Sequence, residues 1–316
     1  MTGSRTTPPL RQTTAAGLSL SATTNPDDPL LDEYYAGYDR SFVLEAEKEP
    51  LEGFRACMAL NDSPLGRALL DRYGPFRELV VLARAGNDTV GGANLSCFQF
   101  DGSAGPLRTI ALNYVHVLPT FRRRGYSGEI LRGCAGLATQ SLDAARLPAE
   151  RGLTAAPLTF IEHHDPLRLA PGEGERDSER AGIGQIDRLR VWSGADARII
   201  DFDYIQPPLA AGADAAGNLL LSVTGVPGDS IDACTLGGHL ERFFAISCLK
   251  GRPLAQEPTA QGQVDALARA CRHREPIALL DPRPWLATAR PAPALTGPVP
   301  GGLRAALSRQ RGESRQ

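Results

Sequence analysis

The sequence predicts an α/β (α+β) fold: a mixed central sheet with helices on both faces, an N-terminal helical lead-in and a C-terminal helical extension. Three observations predict it. Three β-rich runs, "FRELVVLARAG", "TVGGANLSCFQF" and "LRTIALNYVHVLP", follow one another between residues 76 and 119. An amphipathic helix comes next, in "GYSGEILRGCAGLATQSL". A further β run, "PLTFIEHH", follows that helix.

Each element has a local reason. "LLDEYYAGYDRSF" and "PLEGFRACMAL" read as helices, and "SPLGRALLDRYG" opens on Ser-Pro and closes on Gly, the usual helix punctuation. The first two β runs are joined at Gly86-Asn87-Asp88, a hairpin signal. Pro119 ends the third. In the next helix Ile130, Leu131, Cys134, Leu137 and Ala138 fall on one face at period 3.6. "APGEGERDSERAGIGQ" is a charged, Gly-rich insertion. After it come a short helix ("IDRLRVWSG"), strands at "ARIIDFDYIQP" and "NLLLSVTG", and helices at "TLGGHLERFFAISCL" and "AQGQVDALARACRHR".

The expected organisation is a disordered Thr/Ser/Pro-rich tail over 1–28, a main domain over 29–226, a strand-and-helix extension over 227–289, and a disordered Pro/Arg-rich tail over 290–316. A formal net charge of −2 gives no global field toward nucleic acid or an anionic membrane. No apolar run approaches the roughly 20 residues of a membrane span, and no secretory pattern opens the chain. The six cysteines form no Cys-x-x-Cys pair and show no zinc spacing, so all six are expected as small buried thiols and no metal is expected. These observations predict a cytoplasmic protein, a monomer or homodimer. Lysine occurs only at Lys48 and Lys250, so an arginine cluster carries little weight alone.

The stretch "VHVLPTFRRRGYSGEIL" nonetheless asks for an anion. A strand ends at Val117-Leu118-Pro119, and a short loop carries Arg122, Arg123 and Arg124. Gly125 removes a side chain where backbone must approach a ligand closely, and Ser127 and Gly128 keep the next positions small. A helix N-terminus then offers unsatisfied N–H groups and its positive dipole end. Neither the Gly-x-Gly-x-x-Gly nor the Gly-Lys-Ser/Thr pattern is present.

The stretch resembles the acyl-CoA-binding motif of the GNAT superfamily of N-acyltransferases. Val117 and Pro119 take its first positions, Arg122 its Arg/Gln, Gly125 its turn glycine, and Ser127 stands where Gly or Ala is usual. The resemblance covers about residues 33–225, with only this loop at motif grade. It implies that the segment from Val115 and Val117 through Arg122, Arg123, Arg124, Gly125, Tyr126, Ser127 and Gly128 binds acetyl-CoA by its pyrophosphate. It also implies acyl transfer, acetyl above all, to an amine of a small molecule or protein by direct attack in a ternary complex. Retention of the fold for non-catalytic acyl-CoA binding is the alternative.

Amine acylation needs a base for the ammonium and an acid for the thiolate. Glu162, His163 and His164 end the strand "LTFIEHH", where a ligand is expected in an α/β layer. Alternation sends Glu162 and His163 to opposite faces. Glu162 is the first candidate base, with His163 or His164 as base or relay; His116 reads as a packed histidine. The tyrosine this resemblance would supply as the acid is missing from "DPLRLAPGEG". Tyr204 in "DFDYIQPPL" is the substitute, with Asp201, Asp203 and Gln206 as candidates for an acceptor pocket.

Overall fold

A computed structural model describes residues 9–42, 48–145, 156–170, 172–209, 214–289 and 299–313. It has the expected class, strands in sheets with helices on both faces. The chain divides into two compact units: Met1–Pro157 with Ala245–Arg252, and Leu158–Phe244 with Pro253–Gln316.

The first unit is an antiparallel meander in the order β1 (Leu10–Thr13), β2 (Ser19–Thr23), β3 (Phe76–Ala85), β4 (Asp88–Gly102), β5 (Gly105–Val117). Helices α1 (Pro29–Ser41), α2 (Leu51–Ala59) and α3 (Pro64–Tyr73) precede β3, and α4 (Tyr126–Ala144) follows β5. The punctuation read in the sequence is used: the Ser63 side chain accepts from Gly66 N, and Gly74 ends α3 at φ 82. Alternation along β3 separates two faces. Val80 and Leu82 join Leu30, Leu31, Tyr34, Tyr38, Phe54 and Met58 of α1 and α2 in one core. On the other face Cys97 lies against the Ala138 carbonyl of α4, at 3.7 Å.

A β-bulge interrupts β4 and β5: Asn94 pairs with Tyr114, but Leu95 pairs with Leu112. Asn113 is the extra residue, so Asn113 and Tyr114 turn to the same face. Asn113 Nδ2 donates to Asn94 Oδ1 (3.0 Å) and Ser96 Oγ (3.1 Å), while the Tyr114 ring packs edge-on against Tyr38 at 4.8 Å.

On that face Glu78 is wholly buried and accepts from Ser96 Oγ (2.8 Å) and Ser247 Oγ (2.6 Å). Burial pushes its pKa up to about 7. A carboxyl whose folded pKa exceeds its unfolded value stabilises fully below the unfolded value and loses that contribution as pH rises toward 7. The ionised form costs on the order of 3 kcal/mol at pH 8. Glu78→Gln does not titrate. Its melting temperature is expected to gain on the wild type by about 5 °C between pH 5 and pH 8. A difference independent of pH would show that Glu78 does not ionise over this range.

The second unit holds an antiparallel sheet in the order β6 (Leu158–His164), β8 (Leu219–Thr224), β7 (Arg198–Ile200), β10 (Pro276–Leu280), β9 (Ser230–Asp232). Its helices are α5 (Glu173–Ala181), α6 (Gln185–Gly194), α7 (Ala233–Arg242), α8 (Pro258–Arg272), α9 (Arg283–Thr288) and α10 (Gly302–Glu313). One face packs Leu220, Ile199 and Leu280 against Leu189, Leu286, Leu303 and Leu307. On the other, Phe160 stacks on His239 of α7 with ring centroids 3.7 Å apart.

Three expectations are corrected. The first tail is not wholly disordered: Leu18, Leu20 and Ala22 are buried, and β2 pairs with β3 along its whole length. Residues 1–8 lie outside the described residues. In the last tail, α10 buries Leu303 and Leu307, and Leu303 N donates to both oxygens of Asp165. Residues 290–298 lie outside the described ones. Two short apolar patterns, too weak to order themselves, are ordered by pairing and packing. The cysteines are not all free thiols. Cys234 of α7 and Cys271 of α8 form a disulfide, while Cys57, Cys97, Cys134 and Cys248 are free. Two helices packed side by side bring together thiols 37 residues apart, and no local spacing announces this.

Removing residues 299–316 takes Leu303 and Leu307 from their core. At roughly 1.5–3 kcal/mol for each buried leucine, the truncated chain is expected to melt about 10 °C lower. An unchanged melting temperature by calorimetry would mean that α10 contributes nothing to the unit.

Candidate active site

The anion cradle begins where β5 ends. Pro119–Phe121 form one 3₁₀ turn, closed by Phe121 N donating to Leu118 O at 2.9 Å. Arg122 turns back on its own strand, its Nε donating to Val117 O at 3.1 Å. Val115 and Val117 are half-buried beside this turn. Arg123 and Arg124 are exposed, Arg123 at φ 61. The Arg124 guanidinium lies over the Phe121 ring, 5.4 Å from its centroid, and donates to Thr120 O at 3.3 Å.

Gly125 occupies the cap position of α4 at φ 77, ψ 2. That is left-handed backbone, which glycine adopts without strain. No side chain caps the helix. The first intrahelical bond runs from Glu129 N to Gly125 O, so the amides of Tyr126, Ser127 and Gly128 have no acceptor within the helix. Apart from Gly125 itself and its two chain neighbours, no described residue lies within 4 Å of where a Cβ on Gly125 would sit. Amides without a helical acceptor and the positive dipole end suit an anion such as a pyrophosphate.

The second group of candidates lies in the other unit. Glu162 lies on the α7-facing side of β6. Its Oε1 accepts from the Tyr204 hydroxyl, and its Oε2 from Gln206 Nε2 at 3.1 Å. Tyr204 is buried. Burial raises the Glu162 pKa to about 7, against the lowering by the bonds from Tyr204 and Gln206. A carboxyl held there is matched to base work at neutral pH.

Tyr204 is not on a strand, as the sequence suggested. β7 ends at Ile200, and residues 201–206 run on irregularly to an isolated bridge between Gln206 and Ala216. The aromatic and β-branched composition of "ARIIDFDYIQP" is strand-like, but among the described residues its second half meets only the single bridge to Ala216. Asp201 and Asp203 are ion-paired with Arg304 at 3.1 and 3.2 Å, and the Asp203 side chain stays largely exposed.

His163 points to the opposite face from Glu162, as alternation requires. Its Nε2 is 2.8 Å from Ser222 Oγ and its Nδ1 3.3 Å from His164 O. Burial lowers its pKa to about 4, so at neutral pH it is an uncharged ring. His116 is buried against Tyr34, with ring centroids 5.5 Å apart, and burial lowers it to about 4 as well. Among the described residues no group of three or more His, Cys, Asp or Glu side chains could hold a metal ion. No described helix is long and apolar enough to cross a membrane.

Sequence reasoning gave Gln206 a pocket-lining part, and it missed Gln263 altogether. Gln263 sits in the buried stripe of α8 with Ala260 and Leu267. A polar residue at an apolar position of an amphipathic helix is the signal that could have found it.

No protein-family model matches this chain, and no curated protein matches it. Among solved structures it is similar to a putative acetyltransferase of the GNAT family from Desulfovibrio desulfuricans, at 14% identity over 66% of this chain and 99% of that one, with a TM-score of 0.35. It is also similar to a GNAT family acetyltransferase from Elizabethkingia anophelis with acetyl-CoA bound (13% identity, 51% of this chain and 83% of that one, TM-score 0.26). A third is a Bacillus subtilis acetyltransferase in complex with CoA (11% identity, 57% and 94%, TM-score 0.26). At these identities and overlaps, function has to be read from the residues of this chain.

Proposed function

We propose that the protein is an acyl-CoA-dependent N-acyltransferase that moves an acyl group, acetyl above all, to an amine of a small molecule or protein. The observation that carries this reading is the turn at Gly125: left-handed backbone, room for a Cβ there, and an uncapped helix N-terminus directly after it. The amides of Tyr126, Ser127 and Gly128 hold the pyrophosphate, with Arg123 and Arg124 on the exposed side for further phosphate oxygens.

The hydrogen bond between Tyr204 and Glu162 supports a complete proton circuit. Glu162 takes a proton from the ammonium, and the freed amine nitrogen attacks the thioester carbonyl carbon. As the new C–N bond forms, the C–S bond breaks and its electron pair leaves on sulfur. Tyr204 protonates the sulfur and regains a proton from Glu162 through the bond they share. The second proton released by the acylated nitrogen passes to solvent, and the new amide is neutral. His163, neutral and on the other face, is held as the fallback base.

The test is binding first and turnover second. Calorimetry with CoA is expected to show one saturable site, and acetyl-CoA with a panel of amines is expected to release thiol in an amine-dependent way. Binding without thiol release from any amine would leave a non-catalytic acyl-CoA-binding protein. No binding of CoA would overturn the reading.

A further inference from the structure

Both side chains bonded to the Glu162 carboxylate come from one short segment. Tyr204 and Gln206 flank Ile205, and the segment has left the β-sheet by then. Its backbone is anchored at one end by Asp201 N donating to Ala278 O at 2.9 Å. At the other end Gln206 exchanges two 3.0 Å bonds with Ala216. The peptide groups of Ile205 are taken by a single side chain. Gln263 Oε1 accepts from Ile205 N at 3.0 Å, and Gln263 Nε2 donates to Ile205 O at 2.8 Å. One carboxamide thus bonds to both backbone groups of one residue, as a neighbouring strand would. Its second N–H goes to Thr259 O of its own helix at 3.1 Å, which fixes which end is oxygen and which is nitrogen. Gln263 is buried, and its helix is tied to α7 by the Cys234–Cys271 disulfide.

We propose that Gln263 is the positioning residue of the Glu162–Tyr204–Gln206 group: it stands in for an absent strand at Ile205 and so aims the two donors at the carboxylate. This rests on the reading of Glu162 as the base. Gln263 touches neither substrate nor the carboxylate, and it acts only through Ile205. The groups that bear on the titration of Glu162 are its own burial, Tyr204 and Gln206. If the donors lose their aim, a force that lowers the Glu162 pKa is lost, and that pKa rises.

The decisive variant is Gln263→Met, of similar length and without the amide. Gln263→Glu keeps the acceptor for Ile205 N but loses the donor to Ile205 O. The Glu162 carboxyl carbon is followed by NMR in the full chain with labelled glutamate, assigned by its disappearance in Glu162→Gln. In Gln263→Met its midpoint is expected about one pH unit higher, turnover about tenfold lower, and the CoA dissociation constant unchanged. Gln263→Glu should fall between, and it is read alone if the methionine variant does not fold.

A lower melting temperature with the Glu162 midpoint unmoved would overturn the inference and leave Gln263 a packing residue. The carboxyl titration needs no turnover. A moved midpoint in a protein that acylates nothing would therefore keep the positioning role while the proposed function fails. An unmoved midpoint in an active enzyme would do the reverse.

Discussion

Glu162→Gln is expected to cut turnover at least about a hundredfold, the lower bound for losing a general base, while CoA binds as before. The amide keeps the shape of the side chain and can still meet Tyr204 and Gln206, but it cannot take a proton from an ammonium. The wild-type rate should rise with pH through about 7, as Glu162 gives up its proton, and this acidic limb should vanish in the variant. Steady-state thiol release across pH 5–9 makes the measurement. A loss smaller than about threefold, against that hundredfold expectation, would move the base to His163 or His164. Tyr204→Phe supplies the matching check. It removes one of the two bonds that lower the Glu162 pKa, so the acidic limb should shift upward while the rate falls about tenfold.

Gly125→Val is expected to weaken CoA binding at least tenfold, and two physical effects point the same way. The φ of 77 is one that a β-branched residue scarcely adopts, at a strain of about 1–2 kcal/mol. The new methyl groups would also stand at the start of α4, where the pyrophosphate is proposed to approach the backbone. Because no described residue beyond its two chain neighbours lies within 4 Å of a Cβ there, the variant should lose affinity without losing its core. Calorimetry read beside a melting curve separates the two. Equal affinity in wild type and variant would remove the cradle from the binding of CoA.

What the sequence showed clearly was local chemistry. Ser63 and Gly74 bracket α3, Gly86-Asn87 turn β3 into β4, and the small residues Gly125, Ser127 and Gly128 open α4, because backbone conformation and capping act over a few residues. The alternation that parts Glu162 from His163 was legible for the same reason. Contacts made by folding at a distance were not. Ser247 reaches Glu78 across 169 residues, and the two disulfide cysteines are brought together by the packing of α7 on α8. Leu20 and Leu303 sit in segments whose composition reads as tail, and only their burial reveals them. In the sequence Glu162 and Tyr204 stand 42 residues apart, one a candidate base and the other a candidate acid. That they share a proton-bearing bond, with Gln263 behind it, is a property of the folded chain alone.

The extra residue at Asn113 has a consequence for how this chain can change. A strand is a two-beat rhythm, and a bulge is the one place where the beat can be skipped. Upstream of it, Leu112 keeps time with Leu95; downstream, Val115 and Val117 keep time with Ala93 and Gly91. Deleting Asn113 would take out the extra residue and leave Tyr114 opposite Asn94, so every downstream side chain would keep its face. A residue added between Tyr114 and Val117 has no such slack, and it would turn over the side chains that follow it. Loss of Asn113 should therefore be tolerated far better than the gain of a residue between Tyr114 and Val117, a pattern that a scan of length variants can reveal without any knowledge of the ligand.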